Sequence, residues 1–243
     1  ALGLPVIPIN HLEGHILAGF LDKKNEFSND SFPFLVLLIS GGHTQLISAN
    51  KLGDYTIIGE SIDDAVGEAL DKTSQLMELG YPGGPQIEKY AQLGDDKKFK
   101  LPKPLCNRDT LNFSFSGLKT AVLMEIKKNE FNKNQMFKHD LAASLQNTIT
   151  DILLIKTRSA IKKTNYKRIV VTGGVAANKL IKKRLTDLAK ELDVKICIPP
   201  QNLCTDNGLM IAWAASLKII CDNHNIKAQE ELVVSPRWSI SDL

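Results

Sequence analysis

Two histidines, His11 and His15, stand four residues apart in His11-Leu12-Glu13-Gly14-His15. On a helix this spacing puts both imidazoles on one face, at a separation that suits one metal ion. The stretch is not the H-E-x-x-H of a zinc protease. Glu13 follows the first histidine by two residues, about 200° round the helix, and points away from the ion the imidazoles would hold. It is therefore a poor general base for a metal-bound water. Two imidazoles need a further protein ligand, and a later Asp at a loop-to-helix junction would complete a two-His, one-carboxylate set with open positions, suited to iron(II) or zinc. Asp206, in Cys204-Thr205-Asp206-Asn207-Gly208, stands at such a junction, where it could equally be the N-cap of the helix that follows. The plain alternative for the histidines is a partly buried pair near a helix start.

Three glycine loops accompany this pair. Ser40-Gly41-Gly42-His43-Thr44 joins two strands. As a hairpin it uses glycine for positive φ; as a binding loop it lets backbone N–H groups approach a phosphate, with Ser40 and Thr44 as extra donors. Val171 to Asn178, with Gly173-Gly174, follows a strand and opens a helix, where a phosphate or ribose can meet the helix N-terminus and Asn178 can serve as N-cap. Tyr81-Pro82-Gly83-Gly84-Pro85 alone is a turn. Asp71 falls late in a helix, where a carboxylate faces solvent or reaches a ribose hydroxyl.

Positioning these groups falls to a recognisable order of elements. Phe34 to Ser40, Thr44 to Ala49 and Tyr55 to Gly59 read as an antiparallel meander. Asp63 to Leu79 is helical, with Asp63 or Asp64 as cap and Gly80 as stop, and Pro82 to Pro85 breaks the chain before a short helix from about Gln86. Leu101 to Ser116 lacks periodicity, Gly117 to Lys128 is helical, and Asn129 to Asn134 is polar. Helix and strand then alternate: His139 to Lys163, Arg168 to Thr172, Asn178 to Leu192, Val194 to Ile198, and Asp206 to Cys221. Three antiparallel strands followed by this alternation are the layout of a ribonuclease-H-like α/β domain. The apolar run Leu4 to Ile9 reads as a buried strand that needs neighbours.

Composition narrows the class. Of 243 residues, 43% are hydrophobic and 23% charged, enough apolar side chain for a real core. Cys106, Cys197, Cys204 and Cys221 form no C-x-x-C pair, which fits a reducing, cytosolic compartment and excludes a zinc ribbon. No run approaches the roughly 20 apolar residues of a membrane span. The net charge of +3 does not announce a nucleic-acid protein, although basic residues crowd between Lys156 and Lys190.

Taken in order, His11 to His15, Ser40 to Thr44, Glu60 to Ala65, Asp71-Lys72-Thr73, Tyr81 to Pro85, Phe113 to Lys119, Gly173 to Asn178 and Cys204 to Gly208 resemble the tRNA N6-adenosine threonylcarbamoyltransferase family, formerly labelled O-sialoglycoprotein endopeptidases. The likeness runs along essentially the whole chain, and the bacterial and organellar forms match best in wording. It implies an actin-like ATPase (ASKHA) fold of two ribonuclease-H-like lobes. Residues 1–30 would be a remnant of the first lobe with the metal-binding helix, 31–205 the second lobe with a loop-rich insertion at about 95–135, and 206–243 a helix and tail returning toward the first. The family's N-terminal segment has no counterpart here, which predicts an exposed lobe face and association of the isolated chain unless that segment is supplied in trans.

The resemblance further implies one divalent metal, Fe2+ with Zn2+ as the alternative, on His11, His15 and Asp206. A nucleotide or threonylcarbamoyl-adenylate would be held by Leu38, Ile39, Ser40, Gly41, Gly42, Asp71, Gly84 and Asn178. The implied reaction moves the threonylcarbamoyl group to N6 of adenosine 37 in tRNAs reading codons that begin with A, with no protein nucleophile. Implied partners are tRNA and either a paralogous subunit with a small ATPase, as in bacteria, or a second copy, as in organelles. The location is cytoplasmic, or mitochondrial for an organellar form. Two other readings compete. A metalloprotease is disfavoured by the placement of Glu13, and a non-catalytic partner subunit by the intact set of metal ligands.

Overall fold

The computed structural model describes residues 6–21, 27–129, 134–221, 235 and 238–243. The N-terminal part of the Leu4 to Ile9 run, most of the polar 129–134 stretch and most of the tail after 221 lie outside these residues.

β1 (Phe34–Ile39) is apolar at every position, as a strand covered on both faces must be. Its side chains alternate between two cores: Leu35, Leu37 and Ile39 enter one, Phe34, Val36 and Leu38 the other. β2 (Thr44–Lys51) and β3 (Asp54–Glu60) continue antiparallel from it, through a turn at Gly53 with φ +77°. On the other side β4 (Arg168–Thr172) and β5 (Lys195–Cys197) pair in parallel, giving the order β3-β2-β1-β4-β5. This is the ribonuclease-H-like arrangement that the sequence predicts.

The larger core lies under α2 (Val66–Leu76), α3 (Gly83–Ala91), α4 (Ser116–Lys128), the 30-residue α5 (Gln135–Thr164) and α6 (Lys179–Glu191). Asn134 caps α5 by accepting from Phe137 N, and Asn165, left-handed at φ +56°, ends it. The opposite face of the sheet carries α1 (His11–Ala18), which packs along α7 (Gly208–Cys221), together with Ile240 near the C-terminus.

Several expectations change. No strand forms at Val6 to Ile9: Val6 is 39% exposed with a single bridge position, and Ile7 to Asn10 are irregular. Their path leads instead to Asn10, whose side chain accepts from Leu12 N and Glu13 N and so caps α1. Pro82 to Pro85 does not break the chain ahead of a helix; it begins one, because Pro85 falls in the first turn of α3, where no intrahelical N–H partner is lost. Neither Asp63 nor Asp64 caps α2. Thr44 Oγ1 accepts from Val66 N at 2.8 Å in their stead, and the Asp63 carboxylate crosses to α4, accepting from Phe115 N, Ser116 N and the hydroxyls of Ser114 and Ser116.

The loop-rich insertion is anchored from beneath. Lys156 of α5 is 1% exposed, and its ammonium donates to the carbonyls of Leu105 and Thr110, each at 2.6 Å. A lysine in the basic stretch thus serves the core rather than the surface.

Asp63 also yields a pH test. Burial works to raise its pKa, but the hydrogen bonds from residues 114–116 outweigh this and hold it below 3.8. Its stabilising effect is therefore complete above the unfolded-state value and fades as pH falls through the lower folded one. Asp63→Ala should cost about 1 kcal/mol in urea unfolding at pH 7, as for loss of a cap, and the difference from the parent should shrink below about pH 4.

Candidate metal and nucleotide site

α1 carries its two histidines toward Asp206. His15 Nε2 lies 3.0 Å and His11 Nε2 3.4 Å from Asp206 Oδ1, and the ligand atoms of all three lie within 4.8 Å of one another. Asp206 is not the cap of α7. Asn207 takes that role, accepting from Met210 N at 2.9 Å, which frees the Asp206 carboxylate to face the imidazoles. Its side chain is 76% exposed and that of His11 54%, whereas His15 is 4% exposed. The site is thus open on one side and buried on the other.

Burial lowers the His15 pKa, and His11 lowers it further against the opposing pull of Asp206. The net effect favours the neutral imidazole, the form that ligates metal. Its Nδ1 is buried without a hydrogen-bond partner. Thr172 Oγ1 fixes the backbone by donating to His15 O at 2.7 Å, which ties the helix to the end of β4. Two imidazoles and a carboxylate with open solvent on one side fit a borderline divalent ion such as Fe2+ or Zn2+. Burial also lowers the pKa of His43, in the first glycine loop, and His11 adds to the effect.

Glu13 points away from this cluster, as the spacing requires. It is fully buried, accepting from Tyr55 Oη at 3.1 Å, with Lys218 Nζ 2.7 Å from its other oxygen. Burial, with the Glu13 carboxylate adding to it, pushes the Tyr55 phenol far above its ordinary range. Nothing in the spacing pattern of the sequence foretold either partner, because both come from distant elements.

A cavity of about 340 Å³ lies between the three glycine loops. Gly41, Asp71, Gly84 and Asn178 all line it, together with Gly174 and Thr205, the neighbour of Asp206. Gly41 and Gly42 are not explained by hairpin geometry: neither has a left-handed φ, and a Cβ on either would touch nothing. Bare backbone facing open space is what close approach of a ligand needs. Gly173 is different. Its φ is +94°, and a Cβ there would strike the carbonyl of Ile39, so glycine is demanded by the fold.

Asp71 Oδ1 is committed to Gly83 N at 2.7 Å, which leaves Oδ2 for a ligand. Asn178 Oδ1 accepts from Ile181 N and from Gln146 Nε2, so its amide N–H groups remain as donors. Leu38 and Ile39 are wholly buried in the two cores and do not line the cavity; they hold the strand that ends at its rim. Ser40 Oγ accepts from His43 N at 3.0 Å and shapes the loop, and Gly42 is exposed outside the cavity lining. Gln201, Thr205 and Glu88 were not foreseen as lining residues. Only Thr205 carried a signal, its place beside Asp206.

Three residues of the basic stretch are held in ion pairs. Arg158 makes a two-pronged pair with Glu191, Lys163 meets Asp109, and Arg184 meets Asp151. Among the described residues no helix is long and apolar enough to cross a membrane.

Known proteins match this arrangement. A solved HypF structure in a phosphate- and nucleotide-bound form superposes with a TM-score of 0.66 over 90% of this chain and 37% of its own, at 12% identity, which shows a shared fold. HypF from T. kodakarensis gives a TM-score of 0.60 over 87% of this chain and 36% of its own, at 13% identity. Sequence relatives are far nearer. The tRNA N6-adenosine threonylcarbamoyltransferase of Bordetella petrii is 45% identical over all of this chain and 70% of its own length, and that of Dichelobacter nodosus 45% over all of this chain and 68% of its own. The model of the TsaD family matches residues 1–213. With 45% identity along its full length and a family match over most of it, the chain belongs to the tRNA N6-adenosine threonylcarbamoyltransferase family.

Proposed function

We propose that the chain transfers the threonylcarbamoyl group from threonylcarbamoyl-adenylate to N6 of adenosine 37 in tRNAs that read codons beginning with A. The observation that carries this is the cluster of His11, His15 and Asp206, whose chain neighbour Thr205 lines a cavity bordered by three glycine loops, in a chain of this family. In this reading residues 31–205 form the second ribonuclease-H-like lobe, while α1 and the segment from Asp206 belong with the first.

Each residue has a task the geometry allows. His11, His15 and Asp206 would hold Fe2+ or Zn2+, and a bound ion supplies positive charge with open positions that polarise an acyl or phosphate oxygen. The bare backbone at Gly41, which lines the cavity, offers N–H groups to the phosphate and acyl oxygens. The free oxygen of Asp71 accepts from a ribose hydroxyl, and the Asn178 amide donates to the nucleoside. Since the incoming amine is itself the nucleophile, these residues need only hold amine and acyl carbon in attack geometry, which removes much of the entropic barrier. The fully buried, paired Glu13 carries no such task, which argues against peptide hydrolysis. Partners in this reading are tRNA and the paralogous subunit and small ATPase of bacterial systems, and the setting is the cytoplasm.

Two measurements test the proposal. Metal analysis of His11→Ala should find bound metal reduced from one equivalent per chain to none, with an unchanged far-UV circular dichroism spectrum; full retention would remove His11 from the ligand set. Nucleoside analysis of unmodified tRNA incubated with threonylcarbamoyl-adenylate should show the modified adenosine with the parent chain, supplemented with the unmatched part of a relative, and none with His11→Ala. Equal product from the metal-free variant would contradict the metal's role.

A further inference from the structure

Glu13 is costly where it stands. A fully buried carboxylate is tolerated only when paired, and both of its partners come from other elements: Tyr55 from β3 and Lys218 from the last turn of α7. A single side chain therefore ties α1 to the sheet and to α7. The three metal-ligand candidates are divided between the same two helices, with His11 and His15 on α1 and Asp206 two residues before α7.

The seam between the helices has a fulcrum. At Gly14 a Cβ would come within 2.9 Å of Ile211 Cδ1, so the helices meet closely there, and Trp213 Nε1 donates to Leu17 O at 3.1 Å. Lys218 lies about 10 Å along the α7 axis on one side of this contact, and the helix start at Gly208, two residues after Asp206, about 5 Å on the other. A shift of about 1 Å at the Lys218 end thus moves the helix start beside Asp206 by about 0.5 Å, the whole of the roughly 0.5 Å that a ligand constellation tolerates.

We propose that Glu13, with Tyr55 and Lys218, is a positioning residue: a buried electrostatic brace that sets the angle between α1 and α7, so that Asp206 meets the two imidazoles at metal-binding distance. This rests on the metal-site reading above. It also gives the carboxylate inside His11-Leu-Glu-Gly-His15 a purpose that faces away from the metal, which explains why an acidic residue sits where it can touch neither the ion nor a water bound to it.

The test uses the full 243-residue chain, Zn2+ in equilibrium dialysis, and the visible spectrum of the Co2+-loaded protein. The parent chain should bind one Zn2+. Tyr55→Phe and Lys218→Met should each raise the Zn2+ Kd at least about ten-fold and shift the cobalt bands, which report ligand geometry. Lys218→Arg, which keeps the charge, should recover most of the affinity. The double variant Glu13→Gln/Lys218→Met leaves no buried charge unpaired and so keeps its fold, and it should show the same loss of affinity as Lys218→Met. Unchanged affinity and cobalt spectrum in the folded double variant would overturn the brace while leaving the metal site standing. Failure of the parent chain to bind Zn2+ or Co2+ would overturn the metal reading and the brace with it.

Discussion

Parallel pairing of β1 with β4 is the constraint on which the rest depends. Because the two strands run side by side in the same direction, with Leu38 opposite Thr172, their C-terminal ends meet at one edge of the sheet. One end releases the Gly41-Gly42 loop and the other the Gly173-Gly174 loop, and Gly173 permits the close approach to Ile39 that a side chain would forbid. At the same end of β4 the Thr172 hydroxyl holds His15. Glycine loops, the cavity between them and the position of His15 are consequences of one backbone register. α2 adds to the same edge: Gly67 lies against the Ser40 carbonyl, where any Cβ would clash, so the helix N-terminus seals the back of the first loop.

Charge is sorted by burial around that edge. Two carboxylates lie near the paired histidines in the fold, and they have opposite fates. Glu13 is enclosed and neutralised by an ammonium, whereas Asp206 stays largely in solvent with one oxygen toward the imidazoles. Desolvation and the neighbouring His11 both lower the pKa of the buried imidazole and so favour the neutral form that a ligand needs. An open, polar rim on a rigid apolar base suits a reaction in which a large substrate delivers its own nucleophile.

The parts most legible in the sequence were those set by short periods. The apolar run of β1, the four-residue histidine spacing and the strand-glycine-helix order around Gly173 each follow from local geometry, and the fold and metal cluster follow from them. Features set by distant partners were not legible. Asp63 sits just before α2, where any sequence reading assigns it to that helix, but its carboxylate caps α4 across some fifty residues of chain. Val6 to Ile9 has a strand's composition, yet strand formation needs a hydrogen-bonding neighbour, and among the described residues Val6 alone of this run holds a bridge position. The Pro-Gly-Gly-Pro stretch looks like a break, because the helix that starts there is stabilised by Asp71 from α2 rather than by a residue of its own. Gly41 and Gly42 show the reverse case: the sequence offered a turn as sufficient cause, and the structure shows neither a left-handed φ nor a crowded Cβ position at either residue.

The most direct test of the central claim is a crystal structure of the chain grown with Zn2+ and a non-hydrolysable acyl-adenylate, with anomalous scattering to locate the ion. The account predicts one zinc bound by His11, His15 and Asp206, the ligand's phosphate and acyl oxygens against the Gly41 backbone, and its nucleoside between Asp71 and Asn178. Zinc at another site, or an adenylate bound outside this cavity, would contradict it.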